Sequence, residues 1–548
     1  MRGDIFAAGV IVAIGAVLLV LAFVVLDDGG RQYEDMGFED YRELTESPMG
    51  SSGPIEIVSI GGHDYAHATG LGHGTIVYQN RTDYINVVKS QAVIVLMNGQ
   101  SNAAYYHADA STATVPDRGQ GFYFGFPDEM TDGYDDVSGC EWYDFVGPDG
   151  TPRVGDRGPG VAKTFNDLTG KKVLWVSLGI PGRMITAWLP PSGAAWVQDT
   201  RIVKTMMEKM PEGFEVQNVY MAWSQGESDY IRNTGYDHYI QTFKAIHDAD
   251  IGIEVDGWLL MEGRTLTCGW VNEAFRQLAS DIEDVEICTS IADTFEVRNG
   301  LMETDDLHYS QLAENALGAA LGRYIAGKMG YSLPKAPVYL LETIVRCAVG
   351  DSVDLEGVTT ARNVDGKAVK VSTTWNSVPS TATAGIATVS GIADGVVTLP
   401  GTPDASAVLF VGYIGYDSAG FELMENAAGG LTLLSRDSLT LGQNVEVPDT
   451  VTEIGDYALH WGPWTSVELP DSVKVLGYRS IQTTQLLQTL QVGSGITSAS
   501  GSAFSAELWK DGVQLTSTQW HNDPSLLEGV WEWDGTTPAV LYYQDGEP

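Results

Sequence analysis

The feature that most constrains this chain is an alternation. Between residues 55 and 333, short apolar runs keep giving way to segments of helical period. The runs are Val93–Met97, Val173–Gly179, Val219–Trp223, Gly257–Glu262 and Val285–Ile291. Between them the spacing predicts helices over Gly160–Leu168, Thr200–Met210, Tyr236–His247 and Val271–Ile282, and "YSQLAENALGAALGRYIAGKMG" closes the region. A strand apolar on both sides needs cover on both sides, so the expected fold class is α/β, a parallel sheet between two helical layers. Sites in such sheets lie outside the carboxyl ends of the strands. Asn98–Asn102 and Gln225–Asp229 both fall at such ends.

The flanks have a different texture. Ile5–Leu26 is an unbroken run of apolar and small residues, 22 long. As a helix it would span roughly 33 Å, enough to cross a bilayer. Arg2 precedes it and Asp27 and Asp28 follow, which predicts a single-pass anchor over 1–26 with the rest of the chain outside the cytoplasm. No A-x-A site follows the run, which favours retention over removal as a signal peptide; "RGDI" at Arg2–Ile5 also resembles a prepilin-type cleavage site. Residues 27–54 are acidic and then rich in Gly, Ser and Pro, and read as a flexible linker. Residues 338–428 carry short alternating segments rich in Thr, Val, Ser and Gly, the pattern of an Ig-like β-sandwich. In 429–548, "VEVPDTVTEIGDYAL" from Val445 is echoed by "VELPDSVKVLGYRSI" from Val467, with a weaker copy from Leu490. A period in the low twenties marks a solenoid, and the wording resembles BspA-like leucine-rich repeats. "GVWEWDGTTPAVLYY" reads as a terminal hairpin around Asp534-Gly535.

Acidic residues number 72 against 31 basic, a formal net charge of -41 at pH 7. That balance disfavours nucleic acid as a partner. The four cysteines, Cys140, Cys268, Cys288 and Cys347, show no C-x-x-C spacing, so no zinc site is indicated. His63, His67 and His73 fit no standard ligand spacing either.

Three short stretches carry candidate chemistry. "NGQSN" places Ser101 just past a strand; a serine there is most often a turn residue, and it can also be a nucleophile. "DDLHYS" places His308 three residues after Asp305, near enough for a carboxylate to hold one ring nitrogen while the other takes a proton. The same pattern also reads as solvated acids and a helix cap. In "WSQGESDY", Gln225 has a side-chain amide that could donate to a developing oxyanion. Gly182, in "PGRMITAW", and Ser101 could add backbone N–H donors.

Together "NGQSN", "RGPGVAKTF", "PGRMITAW", "WSQGESD" and "DDLHYS" stand in an order that resembles the sialate O-acetylesterase and acetylxylan esterase group of the SGNH (GDSL-like) hydrolase superfamily. The likeness covers about residues 90 to 330. It implies an SGNH-type three-layer fold, Ser101 as nucleophile, His308 as general base and Asp305 as its orienter. Ser101, Gly182 and Gln225 would form the oxyanion hole. Gln100, Asn102, Glu227 and Trp188 would support the site, Trp188 as the one tryptophan suited to the cleft. Where the group usually has Gly-Gly, this chain has Pro181-Gly182, and proline has no N–H to offer.

The implied protein is a membrane-anchored extracellular esterase acting on acetylated carbohydrate, without metal or organic cofactor, its carboxyl-terminal modules contacting glycan or cell wall. The competing class is a surface adhesin with an inactive hydrolase-like domain. A domain that only binds has no need of Ser101, Gln225, Asp305 and His308 together.

Overall fold

The computed structural model describes residues 25–548 except 28–30, 61, 105–108, 132–135, 296–299, 304–306, 336–337, 342, 364–367, 395–404, 437–443, 460–463, 482–486, 505, 536–539 and 545–548. The chain divides into two compact units. One comprises the residues up to Gln91 with Pro211–Glu215, the other Ala92–Met210 with Val216–Pro548.

Among the described residues the first unit is all β. Strands Val25–Asp27, Arg31–Gly37, Thr82–Val88, Gly72–Val77 and Gly50–Ser52 form one sheet in that order; Tyr41–Glu43, His63–Ala68 and Ile55–Ile60 form another. Residues 27–54, expected to be a flexible linker, therefore contribute strands. The reason lies in "QYEDMGFED", where Tyr33, Met36 and Phe38 are buried between acidic neighbours. High charge density hid a partial apolar alternation. Residues 55–91 also belong here, so the α/β region starts near residue 90 and not at 55. His67 pairs with Glu39 at 2.6 Å and stacks on Tyr41, an ordinary strand environment. The run Ile5–Leu26 lies outside the described residues except for Val25 and Leu26, which begin a strand. No helix among the described residues is long and apolar enough to cross a membrane.

The second unit opens with the central sheet. Of its eight strands, six are β1 (Ser90–Gly99), β2 (Gly121–Phe126), β3 (Lys172–Ser177), β4 (Phe214–Ser224), β5 (Gly257–Met261) and β6 (Val285–Thr289), in the order 2-3-1-4-5-6, and the short strands Glu129–Met130 and Glu141–Asp144 pair antiparallel with β2. The pairs β2–β3, β3–β1, β4–β5 and β5–β6 are parallel. The helices are α1 (Gly158–Thr169), α2 (Ala194–Glu208), α3 (Glu227–Arg232), α4 (Tyr236–His247), α5 (Thr265–Asp281) and α6 (Gln311–Lys328).

Side chains alternate across a strand, and the burial shows both faces covered. Val93, Val95 and Met97 of β1 and Leu259 and Met261 of β5 share a core with Phe165 of α1 and Leu317 and Leu321 of α6. On the opposite face Trp223 and Trp258 pack edge-on against Phe243 of α4. The five expected strands and the helices between them are present; β2 and α3 were not expected. Strand β1 has β3 on one side and β4 on the other, which makes the carboxyl ends of β1 and β4 the topological switch point, where such folds place their clefts.

Beyond the sheet, a six-stranded path runs through residues 338–411, with Thr343–Cys347 parallel to Ala405–Val411. Two small cores lie on it, one around Val371 and Ala405 and one around Val389 and Leu409. The Ig-like module was expected to reach residue 428. Instead Tyr413–Tyr416, Phe421–Glu425 and Leu431–Arg436 join the sheet of the repeats. Short alternating strands look alike in both modules, so nothing in the sequence marks the handover.

The repeats form two parallel ladders. Asn444 pairs with Ser466 and Ser466 with Thr489, while Glu453 pairs with Val475 and Val475 with Ser498. The third copy is thus a structural repeat. Gly529–Glu532 and Val540–Gln544 form the terminal hairpin, paired antiparallel and joined by seven residues rather than a two-residue turn. The four cysteines are all free thiols.

Candidate active site

The site begins with how β1 ends. Gly99 has φ +139°, and a Cβ there would stand 1.9 Å from the carbonyl oxygen of Ser224. Only glycine lets β1 and β4 come this close before they part. The Gln100 N–H donates to that Ser224 oxygen at 3.3 Å, and the N–H groups of Ala103 and Ala104 both donate to the Gln100 carbonyl at 2.8 Å. Residues 100–104 thus make a tight turn at the switch point, with Ser101 at its start.

Opposite stands His308, on the loop before α6. Its Nε2 lies 3.0 Å from Ser101 Oγ, across 207 residues of sequence. Asp305, expected to orient the imidazole, lies outside the described residues, as does Asp306. Ser101 and His308 share a cleft of about 300 Å³, walled by Pro181 and Gly182 on one side and by Glu227, Ser228 and Ile231 on another. A larger hollow of about 520 Å³ lies around His247, Ile251 and Trp258 and contains no serine or cysteine nucleophile.

Gly182 is exposed and has φ +70°, a left-handed turn conformation with open space where a side chain would stand. Gln225 is placed differently from expectation. Its amide nitrogen donates to the Asp229 carboxylate and to the Arg183 carbonyl at 3.2 Å, while its Oε1 accepts from the Tyr239 hydroxyl at 2.6 Å. The side chain is committed to the wall behind the cleft, its amide nitrogen also lying 3.4 Å from Gln100 Oε1. Trp188 is fully buried, edge-on to Trp223 at 5.5 Å, and so belongs to the core and not to a sugar platform.

The remaining expected residues converge. Gln100 Oε1 accepts from the Ser228 N–H at 3.0 Å, tying the serine turn to α3. Glu227 is 3 % exposed; its Oε1 accepts from Asn102 Nδ2 at 2.7 Å and its Oε2 has no partner among the described residues. Burial pushes the Glu227 carboxyl above its ordinary value, against the pull of the Asn102 hydrogen bond and of His308 and Arg157. Asn102 also donates to the Leu307 carbonyl at 3.1 Å and accepts from the Tyr309 N–H at 3.0 Å.

Two residues carry the site without having been singled out. Arg157, 1 % exposed, grips Glu314 of α6 through Nε at 2.6 Å and a terminal nitrogen at 3.0 Å, and that same nitrogen donates to the Asn102 carbonyl. A buried guanidinium needs such a partner. Arg157 stands in the "RGPGVAKTF" block, which is the only sequence signal it offers; Glu314 offers none. Deeper, Asp199 is fully buried, with one oxygen accepting from Asn98 Nδ2 at 2.7 Å; burial pushes its carboxyl well above the ordinary range.

A serine hydroxyl within hydrogen-bond reach of an imidazole, beside an open glycine turn, can perform acyl transfer.

No protein-family model matches the chain, over the repeats or elsewhere, so the expected BspA-like likeness finds no support there, and none of the curated proteins matches it. Among solved structures it is similar to a protein from Arabidopsis thaliana, at 17% identity and TM-score 0.31, covering 43% of this chain and 98% of that one. It is similar to a carbohydrate acetylesterase from Xanthomonas citri at 16% identity and TM-score 0.31, covering 63% and 81%. NanS is matched at 12% identity and TM-score 0.27, covering 44% and 97%.

Proposed function

We propose that the chain is a serine esterase that releases acetate from acetylated carbohydrate. The observation that carries the proposal is the Ser101 Oγ to His308 Nε2 distance of 3.0 Å inside a cleft at the sheet's switch point. The order of the five sequence blocks supports it independently.

In the proposed reaction, Ser101 Oγ passes its proton to His308 Nε2 as it attacks the ester carbonyl carbon. The tetrahedral oxyanion is met by the N–H groups of Ser101 and Gly182. Its collapse breaks the bond to the sugar oxygen, which leaves with the proton from His308, and an acetyl-serine remains. Water then attacks the acetyl carbon and gives its proton to His308; the Ser101 oxygen leaves, recovers that proton, and acetate departs. Asp305 is proposed to hold the imidazole. Attachment to a membrane through residues 1–26, an outside location, Ig-like and BspA-like character for the carboxyl-terminal modules, and glycan contact through them are further parts of this proposal.

The test is acetate release by the full chain from acetylated xylan and from O-acetylated sialic acid, beside Ser101→Ala. Release that vanishes in the variant is the expected outcome. Equal release from the two proteins, or none from the parent on these sugars and on a simple aryl acetate, would refute the proposal.

A further inference from the structure

We propose that Asn102 is a positioning residue: its side chain clamps the backbone on both sides of His308 and so sets the serine–histidine hydrogen bond. The inference rests on the esterase assignment and adds a determinant of rate that does not depend on Asp305.

The carboxamide is used in full. One N–H of Nδ2 is met by Glu227 Oε1 at 2.7 Å and the other by the Leu307 carbonyl at 3.1 Å, while Oδ1 accepts the Tyr309 N–H at 3.0 Å. The orientation has no alternative. A peptide N–H can only donate and a peptide carbonyl can only accept, so a flipped amide would lose both backbone contacts. Leu307 and Tyr309 are the residues on either side of His308, and Ser101 is the residue before Asn102. One side chain therefore ties the nucleophile's turn to the base's loop.

The clamp is itself fixed. Its backbone carbonyl accepts from Arg157, which is held by Glu314 in the first turn of α6, the helix that follows the histidine loop. Asn102 is 3 % exposed. Buried polar groups used this completely rigidify what they join. Displacement of a catalytic group by about 1 Å can lower a rate about 10²-fold, and loss of the clamp frees the His308 loop to move by that much.

The experiment compares the full parent chain, Ser101→Ala, Asn102→Ala and Asn102→Asp on 4-nitrophenyl acetate across pH, with a thermal melt of each. Asn102→Ala is expected to lose about 10²-fold in kcat with KM changed less than about threefold. Asn102→Asp keeps the acceptor for Tyr309 but has no donor when ionised and a single O–H donor only when protonated. Its rate relative to the parent should therefore rise as pH falls, a response that a purely structural role would not give. If Asn102→Ala fails to fold, the near-isosteric Asn102→Asp decides. Parent-like kcat in Asn102→Ala, a loss carried by KM alone, or a flat Asn102→Asp to parent ratio would each overturn the inference alone. Turnover by the parent that does not depend on Ser101 would overturn the esterase assignment and this inference with it.

Discussion

The two ends of the second unit bury different things. Around the cleft, Arg157, Asp199, Glu227, Asp229, Glu262 and Glu314 are all less than 9 % exposed. In the repeats from residue 444 onward, the only buried polar side chain among the described residues is Ser480; the interior is Val, Leu, Ile, Ala, Phe and Trp. The repeat stack is built on the cheapest stabilising term, apolar burial in register. The strand ends of the α/β sheet carry ionisable groups that would be more stable in water. Such groups persist where a site needs a defined geometry. The contrast supports the proposed site in the first region without reference to any motif.

The largest expected effect comes from breaking the buried ion pair. Arg157→Met leaves Glu314 without its counter-charge and the Asn102 carbonyl without a donor. It should destabilise the α/β region by about 3–5 kcal/mol and depress turnover, whereas Arg157→Met with Glu314→Leu should recover much of the stability. Denaturant unfolding followed by tryptophan fluorescence reads both. The counterpart in the repeats is Leu490→Ala, with Leu490 fully buried. It should destabilise its own module by about 2–5 kcal/mol and leave acetate release unchanged. A drop in turnover there would mean that the two regions are not functionally separate.

The smallest effect is a pH slope. Burial raises the Asp199 carboxyl well above its ordinary value, so the folded chain holds this proton more tightly than the unfolded chain does. That stabilisation is complete below the unfolded value of about 3.9. It is lost progressively as pH rises toward the raised folded value. Asp199→Asn keeps an oxygen to accept from Asn98 and removes the titration. Its thermal midpoint should decline less than the parent's between mildly acid and neutral pH. Parallel curves for the two proteins would contradict this account of Asp199.

What could be read from the sequence follows the same division. Strand β1 and the 22-residue repeat are periodic apolar patterns, and periodicity is local. The Ser101 turn was legible because a buried strand that stops in small and amide residues is unusual. The Arg157–Glu314 pair spans 157 positions and has no local signature. Gln225 was assigned to the oxyanion because its place after β4 suited that role. Its actual partners, Asp229, Tyr239 and the Arg183 carbonyl, are set by how α3 and α4 pack. Trp188 was matched by motif, but in the fold its indole packs on Trp223. The strand Arg31–Gly37 has no clear signal because its two buried side chains, Tyr33 and Met36, are diluted among acids.

The most direct test of the central claim is labelling with a fluorophosphonate, which modifies only an activated serine, followed by mass spectrometry of the peptides. The account predicts a single adduct on Ser101 in the parent, and none in Ser101→Ala or His308→Ala under the same exposure. An unlabelled Ser101 in the parent, or equal labelling of Ser101 in His308→Ala, would contradict it.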